Sequence, residues 1–467
     1  MSNSAKAASA LLAVVFSIPV PLLLASFTLF SLFACVAGYL LLHHIAPKPR
    51  LPFPSEKTYQ TSEATGSKGT ESTVIVSRQL PCWYDKWLAE RHLAEAASKK
   101  DKDDRDGNSI NSIAYSLSAI EPAEVGLTVV VPAYNEALRI LPALEEMVDY
   151  CDKRFGRPKR VVKETAATTT ATPAKDKETT YRPTIPKRKK APSAAVMYDF
   201  PANRQLSTGG NGSATATADD GEAQLPSGYE ILIVNDDSSD NTARVALDFA
   251  RDRGLHDILR VVTLVKNRGK GGGVTHGLRH ARGAYVVFAD ADGASRFSDL
   301  DKLIEGCDVV VDASDRGVAI GSRAHLVGSA AVVQRSALRN FLMKSFHFVL
   351  TILTPPATSR IGDTQCGFKL FSRAALPHIV PYMHSEGWIF DIEMLMLAES
   401  APATPVVAHD GSFIGTSAGI KVAEVPVGWH EVEGSKMNLM QDSIRMAIGL
   451  MVLRASWMLG VYRRRLT

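Results

Sequence analysis

Two carboxylates one residue apart, Asp290 and Asp292, follow the apolar run Tyr285 to Ala289. Hard oxygen donors of this kind hold a divalent cation such as Mg2+ or Mn2+, which also grips diphosphate oxygens. The pattern alone carries little, because Asp101/Asp103, Asp104/Asp106 and Asp299/Asp301 share it in a charged stretch or at a helix start. The pair at 290 and 292 differs in being delivered by a strand-like run to the edge where open α/β sheets bind ligands. Upstream, the glycine run Gly269 to Gly273 encloses Lys270 and lacks the GxxxxGK[ST] spacing of a triphosphatase loop. It would let backbone and Lys270 approach a diphosphate at the N-terminus of the next helix, where amides and dipole favour an anion. A flexible turn is the competing reading.

The elements that must position these residues are short Val/Ile-rich runs, each followed by a helical pattern. The runs are Leu127 to Val131, Ile231 to Val234, Val261 to Val265 and Tyr285 to Ala289. Near-continuous apolar runs of this length read as strands covered on both faces of a parallel sheet. Helices are expected at Ala137 to Cys151, Asn241 to Arg253 and Gly273 to Arg282, the last stopped by Gly283. Alternating strands and helices imply a doubly wound α/β domain. The four runs end in Pro132-Ala-Tyr134-Asn135-Glu136, Asn235-Asp236-Asp237-Ser238, Asn267-Arg268-Gly269-Lys270 and Asp290-Ala291-Asp292. One rim thus carries carboxylates, amides, a ring and cations, a set suited to a nucleotide, its diphosphate and a metal.

These motifs, with Gly321-Ser-Arg323-Ala-His325, the stretch Asp363 to Phe371 and Glu433-Gly-Ser-Lys-Met437, resemble the dolichyl-phosphate beta-glucosyltransferases. The resemblance covers about residues 125 to 465 and is most diagnostic from Asp290 to Phe371. It implies a GT-A fold, UDP-glucose as donor, dolichyl phosphate in the membrane as acceptor, and inversion at the anomeric carbon. It also implies a product used for N-glycan precursors and an endoplasmic reticulum location. By motif, Pro132, Tyr134 and Glu136 would hold the nucleoside, Asp236 the uracil or ribose, and Asp290 with Asp292 the metal. Arg323, Arg335 and Arg339 would meet the acceptor phosphate. Asp363 and Asp391 are candidates for sugar-hydroxyl contacts or a base, with helix cap or structural acid as the other reading. The second motif departs from the family's Asp-Asp-Gly-Ser, having Asn235 for the first acid and Asp237 for the glycine.

A net charge of +4 over 467 residues gives no argument for a nucleic-acid partner. The five scattered cysteines form neither a disulfide framework nor a zinc spacing, so a reducing compartment is expected. Leu11 to Leu42 contains no charged residue and exceeds the ~20 residues needed to span a bilayer. It reads as a retained anchor, with Pro19 and Pro21 kinking it or marking its start. Lys48, Arg50 and Lys57 follow it, and the positive-inside rule places the body in the cytosol.

The expected layout is an anchor over 1–45, a tether with a short helix over 46–124, and a GT-A domain over 125–436. Low-complexity insertions are expected at about 157–227 and 400–420, and a membrane-surface helix with a basic tail over 437–467. Core packing is the alternative for that last helix. The related mannosyltransferase using GDP-mannose is the nearest rival, but Gly293-Ala294 replaces its usual Leu-Gln. A processive polysaccharide synthase would carry several spans and a QxxRW motif, and a silent nucleotide-sugar-binding scaffold would not need the acids and arginines kept here. Because Asn211-Gly-Ser is a glycosylation acceptor sequence, mass spectrometry of protein from a glycosylating host is expected to find Asn211 bare. A glycan there reverses the orientation.

Overall fold

The computed structural model describes residues 19–65, 72–100, 120–158, 196–198, 225–312, 314–326, 345, 348–407, 413–432 and 439–464. Asn211, Arg335, Arg339 and Glu433 to Met437, all singled out above, lie outside the described residues.

Two compact units divide the chain, residues 1–47 with 448–467 and residues 48–447. In the first, α1 (Val20–Ile45) carries Pro19 at its N-cap and Pro21 in its first turn, where a missing N–H costs nothing. The two prolines therefore mark the start of the helix and do not kink it. Its stretch Leu24–Ile45 has a mean hydropathy of 2.0 and is almost wholly exposed, Leu42 excepted, so it is long and apolar enough to cross a membrane. The Tyr462 hydroxyl donates to the Pro47 carbonyl at 2.6 Å, and its ring meets Trp457 edge-on at 5.9 Å.

The second unit is built on a mixed ten-stranded sheet of order β2-β1-β6-β5-β3-β7-β9-β8-β12-β4. The strands are β1 (Thr58–Thr65), β2 (Ser72–Gln79), β3 (Val125–Ala133), β4 (Val196–Tyr198), β5 (Tyr229–Asn235), β6 (Leu259–Thr263), β7 (Gly283–Ala289), β8 (Val318–Ser322), β9 (Phe368–Ser372) and β12 (Val422–Pro426). The four strands expected from sequence, β3, β5, β6 and β7, are mutually parallel, while β9 runs antiparallel between β7 and β8. The direction of winding reverses between β3 and β7, so the crevice outside their carboxyl ends is where a ligand belongs.

Both faces are covered. Odd positions of β3, namely Leu127, Val129 and Val131, join one core with α3 (Ile140–Arg154), α4 (Thr242–Asp252) and α6 (Leu300–Val310). Side chains alternate along a strand, so Val130 and Val234 face the other way, against α5 (Gly269–His280). Each fully buried aliphatic side chain contributes about 1.5–3 kcal/mol. At the opposite end of the strands, buried Glu230 accepts from Thr128 at 2.7 Å and pairs with Arg260 and Arg282, joining β3, β5 and β6.

Four segments differ from expectation, the first being β4, which lies within the expected 157–227 insertion yet pairs antiparallel with β12 at the sheet edge. Residues 46–124 hold, besides α2 (Trp83–Lys100), a β1–β2 hairpin whose first strand extends the sheet beside β6. Its docking is helped by Glu56, just before β1, which is buried and whose carboxylate accepts the N–H groups of Val265 (2.8 Å) and Phe53 (2.9 Å), and by Thr61, whose hydroxyl donates to the Leu259 carbonyl at 2.8 Å. The stretch 400–420 contains a hairpin of β10 (Thr404–Val407) and β11 (Phe413–Ser417), held at its base by fully buried Arg316 donating to the carbonyls of Pro402, Ser417 and Gly419. The glycine run is not a loop but the first turn and more of α5. Small residues there let the helix lie close to its neighbours, since a Cβ on Gly271 would sit 2.6 Å from Phe390 Cβ and one on Gly277 2.3 Å from Val130 Cγ1.

Glycine in a helix costs about 1 kcal/mol relative to alanine, and overpacking a rigid core costs ~1–3 kcal/mol or more. Gly277→Ala therefore lowers the thermal midpoint, because Val130 is fully buried and cannot yield. Gly273→Ala raises it, because its new Cβ would meet Pro132 Cβ at an ordinary 3.5 Å. Thermal unfolding of the two detergent-solubilised variants checks the opposite signs.

Candidate active site

The strand ends expected to form the rim are stitched together by their own polar groups. After β3, Asn135 takes a left-handed φ of 53°, a conformation Asn tolerates better than most residues. Its Oδ1 accepts the N–H groups of Ser239 (2.8 Å) and Asp240 (3.3 Å), tying the β3 loop to the β5 loop. Glu136 is paired with Arg139 at 2.7 Å, and Tyr134 is 41% exposed beside it. After β5, Asp237 sits at φ 58°, which explains why glycine is usual at that place and why Asp can replace it. Asn235, standing where the family has an acid, donates to Thr263 Oγ1 at 3.4 Å.

Asp236 is 4% exposed and accepts the Arg268 N–H at 2.7 Å. Burial pushes its carboxyl up to about 6, against the pull of the Arg268 and Gly269 N–H groups and the Arg268 charge. Arg268 is itself clamped. Its guanidinium meets Glu386 at 2.5 Å and donates to the Arg50 carbonyl at 2.9 Å, while the Arg50 N–H reaches Glu386 at 3.2 Å. The chain just after the anchor thus braces the loop that holds Asp236.

Two residues beyond Arg268, Lys270 meets Asp290 Oδ1 at 2.6 Å. Burial works against the Lys270 charge, but Asp290, Asp391 and Asp292 together hold its pKa above the ordinary value. Asp290 lies flat on the backbone at the start of β9: a Cβ at Gly367 would fall 2.0 Å from its Oδ2, so only glycine fits there. Asp292 Oδ1 accepts the Ala294 N–H at 3.0 Å, and Gly293 between them takes φ 71°. Asp299 and Asp301 are taken up elsewhere, Asp299 by the Gly428 N–H at 2.6 Å and Asp301 by Arg154 at 3.1 Å.

Across the sheet, Arg323 follows β8 and is gripped by Asp363 through Nε (2.7 Å), Nη2 (2.9 Å) and its backbone N–H (2.9 Å). Burial raises the Asp363 carboxyl, and the hydrogen bonds and charge of Arg323 more than reverse this, leaving it below the ordinary range. The Arg323 guanidinium lies 5.7 Å from the Trp429 ring. Trp429 also bridges Ser295, and the His430 N–H donates to the Ala294 carbonyl at 2.9 Å, so the arginine and the Asp292 loop share one neighbour.

Asp391 lies in the first turn of α7 (Phe390–Glu399), buried and hydrogen-bonded to the fully buried Lys369. Burial raises its carboxyl, opposed by Lys369 and Lys270, while Asp290 adds to the rise. Lys270, Asp290, Asp292 and Asp391 are therefore linked by charge, Asp290 is also felt by Arg323 with its partner Asp363, and Asp236 is tied to the same segment through Arg268, two residues before Lys270. Among the described residues no group of three or more His, Cys, Asp or Glu side chains gathers as a metal cluster.

Sequence reasoning missed Arg50, Glu386, Lys369, Glu424 and Trp429. Lys369 carried the clearest signal, a lysine inside the apolar strand Phe368 to Phe371 that demands a buried partner.

The family profile described as Glycosyl transferase family 2 matches residues 219–376. The chain is 44% identical over 243 residues to the dolichyl-phosphate beta-glucosyltransferase of Saccharomyces cerevisiae, covering 50% of this chain and 67% of that one. It is 38% identical over 236 residues to that of Homo sapiens (50% and 66% covered), and 30% identical over 345 residues to one from Trichomonas vaginalis (74% and 75% covered). Among solved structures, glucosyl-3-phosphoglycerate synthase from Mycobacterium tuberculosis, in complex with Mn2+ and UDP-glucose, aligns at 14% identity with a TM-score of 0.37, covering 71% of this chain and 79% of that one. With an acid-and-arginine rim on a mixed α/β sheet and relatives matched over two thirds or more of their length, the chain belongs to the dolichyl-phosphate beta-glucosyltransferase family.

Proposed function

We propose that this protein transfers glucose from UDP-glucose to dolichyl phosphate with inversion, giving dolichyl beta-D-glucosyl phosphate. The observation that carries the reading is the juxtaposition, in a member of this family, of the Lys270–Asp290 pair with Asp236 on one side and the Arg323–Asp363 pair on the other. The first two suit a nucleoside diphosphate and the third suits an acceptor phosphate.

In this mechanism Tyr134, Pro132 and Glu136 hold the nucleoside, and Asp236 accepts a hydrogen bond from uracil or ribose. Lys270 meets the diphosphate. Asp290 and Asp292 would hold Mg2+ or Mn2+, and two carboxylates are a fitting set because Mg2+ is commonly bound by one or two, with phosphate oxygens and water completing its shell. When bound, the ion supplies positive charge to the departing diphosphate. A phosphate monoester is largely dianionic near neutral pH, its second pKa being ~6, so it needs no strong general base. An acceptor oxygen then attacks the anomeric carbon in line as the bond to UDP breaks, with Arg323 neutralising the incoming phosphate, joined by Arg335 and Arg339. Asp391, tied to Lys369 and charged neighbours, serves as an acceptor for sugar hydroxyls.

We place the enzyme in the endoplasmic reticulum membrane, anchored by α1 and with the catalytic unit in the cytosol. The helix α8 (Leu439–Met458) leaves Ile444, Ile448, Met451 and Met458 exposed on one face, which supports its lying at the membrane surface.

Membranes containing the protein and dolichyl phosphate, assayed with UDP-glucose and GDP-mannose side by side, are expected to form product from UDP-glucose alone. Asp292→Asn should cut this by at least ~100-fold without moving the thermal midpoint, and substantial residual turnover would remove the metal role. The pH dependence follows from Asp236. Its pKa near 6 means that the carboxylate form is lost as pH falls through about 6, and the protonated oxygen then donates where it should accept. Affinity for UDP-glucose, measured without acceptor so that no phosphate monoester titrates in the same range, is expected to rise with pH through about 6 and then level, a step that Asp236→Asn removes; an unchanged profile in the variant refutes the assignment.

A further inference from the structure

Glu424 lies within β12, is 5% exposed, and has no part in the chemistry above. Its carboxylate nevertheless holds both loops from which the Arg323–Asp363 pair is built. Oε1 accepts the Ser322 hydroxyl at 2.6 Å and the Asp363 N–H at 3.0 Å, and Oε2 accepts the Gly362 N–H at 3.0 Å. Ser322 immediately precedes Arg323. The approach to the second loop is close enough that a Cβ on Gly362 would lie 3.1 Å from Oε1. A few residues further on, the same segment supplies Trp429, whose ring faces the Arg323 guanidinium.

We propose that Glu424 is a positioning residue for the acceptor phosphate: by pinning Ser322 and the Gly362–Asp363 turn with one carboxylate, it fixes the direction in which Arg323 points. The inference rests on the reading that Arg323 meets that phosphate. The chemistry requires a carboxylate and not merely a polar side chain of that shape. Both oxygens accept, two of the donors are backbone N–H groups that cannot turn away, and an amide nitrogen in place of either oxygen would oppose N–H to N–H. Asp363, freed on its backbone side, would then no longer hold the fork of Arg323 in one orientation. The bland reading is that Glu424 only fastens β8 to β12, its parallel neighbour. The two differ in whether the effect of the substitution passes through Arg323.

A double-mutant cycle with dolichyl phosphate in detergent micelles separates them. Glu424→Gln should raise the KM for dolichyl phosphate about tenfold, the scale expected for a buried N–H left unpaired, while the KM for UDP-glucose stays within about twofold. In an Arg323→Ala background the same substitution should change the acceptor KM no further. Equal effects in both backgrounds would show Glu424 to be a structural acid and overturn the proposal. If Arg323→Ala alone leaves the acceptor KM unchanged, the acceptor reading itself falls and the proposal with it. Should Glu424→Gln not accumulate as folded protein, Ser322→Ala carries the same cycle with a smaller expected rise of about threefold.

Discussion

Several carboxylates share one partly dry strand edge, and like charges about 4 Å apart at an effective dielectric near 20 repel by ~4 kcal/mol. The rim exists because each is matched: Asp290 by Lys270, Asp391 by Lys369, Asp363 by Arg323, Glu386 by Arg268, and Asp236 by an N–H. Removing one partner leaves an uncompensated charge, which costs more than the pair itself contributes. The same matching sets protonation states. Asp363, with a bidentate guanidinium, stays below the ordinary carboxylate range, whereas Asp236, with mainly backbone donors, is pushed up by burial.

This charge balance also explains why distant segments are built into the site. Arg50 and Glu56 follow the anchor closely in sequence, yet both contact the loop between β6 and α5, Arg50 donating to the Asn267 carbonyl at 3.2 Å. Glu386 completes that clamp from the segment before α7. On the other flank, β12 and its trailing Trp429 come after the 400–420 hairpin and reach the Asp292 loop and the Arg323 loop together. Insertions between strands are tolerated because the sheet, and not chain proximity, brings the ends together.

The glycine run shows how one feature serves two constraints. Its smallness lets α5 press against Phe390, and its position at a helix start brings Lys270 onto Asp290. A loop would satisfy the second need without the first. The helix ties Lys270 and its partner Asp290 to the core beneath them.

The periodicity of Leu127 to Val131, Ile231 to Val234 and Tyr285 to Ala289 was enough to determine the parallel core and the edge at which polar residues gather, because a strand buried on both faces admits almost nothing but aliphatic residues. The motifs at those ends determined the family, and the uncharged N-terminal stretch determined a helix long enough for a bilayer. The β1–β2 hairpin was not legible, because Thr58 to Gln79 is largely polar at an edge and docks through contacts such as Thr61 with the Leu259 carbonyl and Tyr59 with Asp257, helped by the preceding buried Glu56, none of which shows as a pattern in sequence. Nor were Glu424 and Trp429, whose partners lie far away along the chain, and Lys369 signalled only that it needed a partner, not which one. Local pattern records which residues a backbone geometry permits; which cation neutralises which acid depends on strand order, and only the folded sheet decides that.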